Sequence, residues 1–186
     1  MKTIAFLFFL CIVTTVAAEE REMLLGGELD IGGFGSPILK FTNINDKNTF
    51  LVGGQGFVLL NHRFYLGGGG GGTASDIGDG VSSYSYGGLI VGAFINPNKA
   101  LHYFTDLGVY SGNMSFNSKN SNNVDNSADD FLIVEPSVGV ALNVMRYCKI
   151  TLGVSYRVVS SVDSPNISKN DVGGYAISGA LLFGKF

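Results

Sequence analysis

The chain has 186 residues, with 12 Lys+Arg against 15 Asp+Glu and a formal net charge of −3. That balance offers no basic surface for nucleic acid. Charged residues make up 15% of the chain, against roughly 25% in a typical soluble domain, so a fully water-exposed surface is already hard to build.

The amino terminus reads as a secretory signal peptide over residues 1–18. Lys2 is the short positive region, Ile4 to Val13 are apolar, and Val16-Ala17-Ala18 offers small residues for cleavage before Glu19. The apolar run is too short for a spanning helix, which needs roughly 20 residues. Cys11 follows Leu10, where a lipoprotein signal has a small residue, so a lipid anchor is disfavoured. Residues 19–186 then form one domain of ordinary size. Cys148 is the one cysteine left in it, so no internal disulfide forms.

After residue 18 no long apolar stretch and no helical period appears. Segments with period two, separated by turn residues, predict eight strands. They run near Glu28–Thr42, Thr49–Leu60, Phe64–Thr73, Ser82–Ile95, Leu101–Met114, Phe131–Val144, Cys148–Ser160 and Gly173–Phe186. In the sixth, Leu132, Val134, Pro136, Val138, Val140, Leu142 and Val144 share one face, and Phe131, Ile133, Glu135, Ser137, Gly139, Ala141 and Asn143 the other. In the seventh, Ile150, Leu152, Val154, Tyr156 and Val158 oppose Lys149, Thr151, Gly153, Ser155 and Arg157. A soluble barrel would turn the small and polar face to water and gain a surface almost without charge. A membrane barrel turns the branched face to lipid and packs the small and polar one inside. The second arrangement predicts an all-β, eight-stranded, antiparallel up-and-down transmembrane barrel. Pro136 predicts a local bulge.

The connections alternate in length. Asn61–Arg63, Asn96–Lys99 and Met145–Tyr147 are tight; Ser75–Val81, Ser115–Asp130 and Val162–Val172 are longer and polar, with Asn43–Asn48 a short exception. That asymmetry puts the longer loops outside the cell. Phe41, Phe50, Tyr84 and Tyr86 at the outer end, and Tyr65, Phe94, Tyr103 and Phe186 at the inner one, are expected to form interfacial girdles.

Residues 28–186, through strand count, loop asymmetry and the closing Gly179-Ala180-Leu181-Leu182-Phe183-Gly184-Lys185-Phe186, resemble the small eight-stranded outer-membrane barrels, the OmpX-like proteins and the transmembrane domain of OmpA-like proteins. The Asn- and Gly-rich style also resembles barrels of Bacteroidota. The resemblance implies a bacterial outer-membrane location, contact with lipid and lipopolysaccharide, and a last strand read by the barrel-assembly machinery with Phe186 as part of the signal. Phe183 and Lys185 fall on the face opposite Phe186. It also implies a role in adhesion, envelope integrity or resistance to host factors, exercised through an extracellular ligand of the loops.

Six charges fall on predicted inner faces: Asp30, Lys40, Asp106, Glu135, Lys149 and Arg157. A tight turn centred on Arg146 sets Glu135 opposite Arg157. Buried charge must be paired, so an ion-pair plug is expected, with an ion path or gate as the sharper alternative. Gly67 to Gly72 lack the Lys-Ser or Lys-Thr of a phosphate loop, and read as bare backbone beneath bulky inward aromatics. His62 and His102 have no evident Ser partner, so a lipid-modifying enzyme, which needs a base beside a nucleophile, is a lesser alternative. Asp76, Asp79, Asp125, Asp129 and Asp130 lack an EF-hand pattern. No cofactor or metal site is expected. The leading reading is a non-enzymatic barrel with active loops. A small-solute pore and a soluble secreted barrel, whose apolar calyx would be lined by Val138, Val140, Leu152 and Val154, are the other rivals.

Overall fold

A computed structural model describes residues 29–44, 47–74, 81–116, 129–162 and 173–186. The predicted signal peptide and most of each longer loop, including Asp76, Asp79 and Asp125, lie outside them. Eight strands follow one another: β1 (Ile31–Ile44), β2 (Lys47–Leu60), β3 (Phe64–Thr73), β4 (Val81–Ile95), β5 (Leu101–Phe116), β6 (Asp129–Met145), β7 (Cys148–Val162) and β8 (Gly174–Lys185). Each pairs antiparallel with the next, and β8 pairs with β1 to close the barrel. Even β3, with 10 residues, reaches the 9–11 needed to cross a bilayer. At 16 and 17 residues, β5 and β6 exceed it. They stay paired to Met114↔Asp129, so the expected loop Ser115–Asp130 begins as strand. The expected loop Asn43–Asn48 is likewise ladder as far as Ile44↔Lys47.

At the other end the connections are short because the chain can turn sharply there. Asn61, His62 and Asn96 adopt φ of 51°, 57° and 58°, a left-handed conformation that Asn tolerates better than most residues. Proline leaves a mark, though not the expected bulge. The β6–β7 ladder skips Glu135 and Pro136 between Val134↔Val158 and Ser137↔Ser155, and the register is the same on both sides. The β1–β8 ladder skips Ser36 and Pro37 in the same way. A residue without an N–H loses a bond without inserting an extra residue. The register shifts of β6 fall instead at Leu132/Ile133 and Asn143/Met145.

Buried and exposed residues alternate along most of the wall, the glycine run of β3 excepted. In β7, Lys149, Thr151, Ser155, Arg157 and Val159 are buried, while Ile150, Leu152, Val154, Tyr156 and Val158 are exposed. The exposed set around the wall is dominated by Leu, Val, Ile and Phe. Val138, Leu152 and Val154 therefore line the outside, and no apolar calyx forms from them. The girdle expectation needs correction for the same reason. Phe41, Phe50 and Tyr103 face out, but Tyr65, Tyr84, Tyr86 and Phe94 are buried inside. Position near a strand end sets depth, whereas odd or even position sets the face. Among the described residues, Tyr156 and Tyr175 join the outer exposed aromatics, and Phe64, Tyr147 and Phe183 the inner ones.

The six-glycine run is the middle of β3, not a loop. Glycine meets glycine in it at Gly53↔Gly71, Gly54↔Gly70, Gly56↔Gly68, Gly69↔Gly88 and Gly70↔Gly87. Rings over bare backbone occur mainly elsewhere. The Tyr65 ring fills the space where a Gly92 side chain would begin, and the Phe104 ring does so at Gly139 and Gly153.

Candidate functional site: the lumen and its mouths

The lumen is filled in three layers. Near the short turns, Phe34 stacks on Phe57 with centroids 4.7 Å apart, and Tyr65, Phe94 and Phe186 join them. Toward the longer loops, Tyr84 stacks on Phe131 at 5.9 Å and Tyr86 meets Tyr110 at 5.3 Å. Between the aromatic layers lie the charges.

Glu135 is the centre of that middle layer and is 4% exposed. Its Oε1 accepts from Lys40 Nζ at 2.7 Å and from Ser155 Oγ at 2.7 Å, and Oε2 lies 3.6 Å from Arg157 Nε. Lys40 reaches it from β1, across the lumen. Lys40 also sits over the Tyr86 and Tyr110 rings at 5.3 and 5.4 Å, and Arg157 over Tyr84 at 5.8 Å. Asp106 accepts from Tyr65 Oη at 3.1 Å and from Ser137 Oγ. Two buried cations thus share the layer with two carboxylates, and each carboxylate also accepts hydrogen bonds from neutral groups. Such satisfaction is what makes buried charge tolerable. The cavity left between Lys40, Gln55, Asp106, Glu135 and Ser178 is about 50 Å³, room for a water or two.

The other two residues of the expected network lie apart. Asp30 sits at the short-turn rim, where its carboxylate is half exposed. It pairs with Lys185 Nζ at 3.1 Å and His62 Nε2 at 2.9 Å. The hydrogen bond and charge of Lys185, assisted by His62, hold its carboxyl below the ordinary value. Lys149 is 5% exposed and is held between rings, 4.6 Å from the Phe94 centroid and 4.2 Å from that of Phe186. Sequence reasoning placed Lys149 on the inner face but had no way to see these rings. Phe186 itself is partly buried against the aromatic layer.

The histidines do separate structural work. His62 belongs to the rim pair. His102 is buried, with Nδ1 3.2 Å from the Lys99 carbonyl and its ring edge-on to Phe94. Among the described residues, no hydroxyl is hydrogen-bonded to either imidazole, and no three His, Cys, Asp or Glu side chains converge as metal ligands.

A search of solved structures returns small outer-membrane barrels. The crystal structure of Neisserial surface protein A matches with a TM-score of 0.66 over 86% of this chain and 100% of that one, at 10% identity. The fold is that of an eight-stranded outer-membrane barrel. Ail, the attachment invasion locus protein of Yersinia pestis, in complex with the heparin analogue sucrose octasulfate, is a looser match. It has 15% identity and a TM-score of 0.48 over 83% of this chain and 95% of that one. No protein-family model and no curated protein matches the sequence.

Proposed function

We propose that this protein is a non-enzymatic barrel of the bacterial outer membrane, akin to the OmpX-like group, that acts through its surface loops in adhesion, shielding or envelope integrity. The observation that carries the reading is the lumen. A polar layer with about 50 Å³ of free space, closed on both sides by stacked aromatics, leaves little passage for a solute. Chemistry and transport are then displaced to the outside of the barrel. The apolar outer wall supports insertion in lipid, with lipopolysaccharide as the outer-leaflet neighbour. Export through a signal peptide at residues 1–18, and recognition of the last strand including Phe186 by the assembly machinery, belong to the same proposal. The extracellular partner is met by the longer polar loops, above all the segment between β5 and β6.

Four experiments test it. Fractionation should place the protein in the outer membrane, with a mobility change between unboiled and boiled gel samples. The purified barrel in planar bilayers should show no steady conductance. Replacing residues 117–128 by a short turn should leave folding intact and remove surface binding. Stable single-channel steps would favour the rival reading, in which the Lys40–Glu135–Arg157 pairs exchange to open a pore. Altered lipid A on expression, lost in His102→Ala, would favour an enzyme.

A further inference from the structure

The short-turn mouth holds a vestibule of about 520 Å³, within the range of small-molecule sites. Its lining includes Lys149, Arg146, His62 and Asn143, and no Asp or Glu side chain; the α-carboxylate of Phe186, which also lines it, forms no ion pair with a described cation. Lys149 is almost fully buried, yet no carboxylate of a described residue lies within ion-pair distance of its ammonium. The rings of Phe94 and Phe186 hold it by their faces, which satisfies part of its charge but none of its three N–H donors. Arg146 at the rim has the Tyr147 ring beside it and likewise no acid. Asp30, at the same end of the barrel, is already engaged by His62 and Lys185.

Two acceptors nearby lack donors. Asn143 spends its amide N–H groups on the carbonyls of Pro97 at 3.0 Å and Lys99 at 2.9 Å. That fixes the orientation of the amide and leaves its Oδ1 buried with no partner. His102, edge-on to the same Phe94 that Lys149 covers, has its Nε2 buried with no partner. Its Nδ1 donates to the Lys99 carbonyl, so Nε2 is the acceptor nitrogen. A buried donor-rich cation beside orphaned acceptors is costly unless something bridges them.

We propose that this vestibule binds a soluble phosphate-bearing small molecule, with the phosphate on Lys149 and Arg146. The choice of phosphate over carboxylate follows from the mixed polarity of the site. A hydrogen phosphate or phosphomonoester with a free hydroxyl offers charged oxygens to the two cations and a hydroxyl donor to Asn143 Oδ1. A carboxylate offers oxygens alone. A soluble source is favoured because the vestibule lies among the turns that ring the barrel axis, where water enters, whereas lipid meets the outer wall.

The test is nuclear magnetic resonance of the full barrel in phosphate-free maltoside micelles. Inorganic phosphate and glycerol 3-phosphate are titrated, with acetate and chloride in parallel. The Asn143 side-chain amide and the Lys149 and Arg146 signals should shift saturably with both phosphates, with a Kd at or below about 1 mM, and more weakly with acetate. Lys149→Met should weaken binding by about tenfold or more, and Arg146→Gln by less, while both keep the unboiled gel mobility of the folded barrel. If Lys149→Met does not fold, the wild-type shift map and Arg146→Gln decide the matter. Absence of saturable shifts, shifts spread over the outer surface only, or equal response to chloride would overturn the proposal. A response confined to micelles doped with phosphatidylglycerol would overturn the soluble source in favour of a headgroup.

Discussion

Replacing Glu135 by Gln isolates the charge at the centre of the lumen while keeping the side-chain shape. The carbonyl oxygen of the amide still accepts from Ser155 and Lys40, which lie 2.7 Å away in the parent. What disappears is the negative charge that offsets Lys40 and Arg157, whose exposures are 6% and 2%. Among the described residues Asp106 is then the one carboxylate left in the layer, against the two buried cations Lys40 and Arg157. Removing one member of such a buried set costs about 3–5 kcal/mol. With a urea slope of about 2 kcal/mol/M, the unfolding midpoint should fall by about 1.5–2.5 M. The assay is urea titration in lipid vesicles, with the folded fraction read from unboiled gel mobility. The double variant Lys40→Met/Glu135→Gln restores charge balance, because Arg157 and Asp106 remain. It should therefore be more stable than Glu135→Gln alone despite carrying an extra substitution. If Glu135→Gln shifts stability by less than about 0.5 kcal/mol, or if the double variant is no better than the single, the layer is not held by charge compensation.

The remaining predictions use the same unfolding assay. Gly92→Ala should cost about 1–3 kcal/mol, since the new methyl meets the Tyr65 ring and displaces it from Asp106, whereas Gly56→Ala, with nothing within 4 Å, should change stability by less than about 1 kcal/mol. Val154→Arg, on the exposed apolar wall midway along β7, should cost about 2–4 kcal/mol in vesicles, while Tyr147→Arg in the β6–β7 turn should cost no more than about 1 kcal/mol. At the rim, the Asp30 carboxyl is held below its ordinary 3.8 by Lys185 and His62. Its contribution should be fully present above pH 3.8 and vanish as pH falls through the lower folded value. The acid limb of a pH–stability curve should accordingly flatten in Asp30→Asn.

Strand number, the tight turns and the inward face of each strand in the second half of the barrel were legible in the chain, because side-chain parity has a period of two and a tight hairpin pins the register. Those two rules alone set Glu135 opposite Arg157, and their side chains lie within 3.6 Å. Parity also said that Lys40, Asp106 and Lys149 point inward. It could not say what they meet there. Lys40 and Glu135 are 95 residues apart on strands that are not neighbours, so their contact exists only once β8 has closed on β1. Height across a lumen depends on strand tilt and stagger, which no single strand encodes. The same closure slides Lys149 between Phe94 and Phe186, with no carboxylate of a described residue within ion-pair distance. It also leaves Asp30 at the rim within reach of Lys185, although parity had counted both Asp30 and Lys149 in the plug. The chain by itself determined which residues enter the barrel; closure decided which of them touch, because contacts across a barrel are set by shear rather than by sequence neighbours.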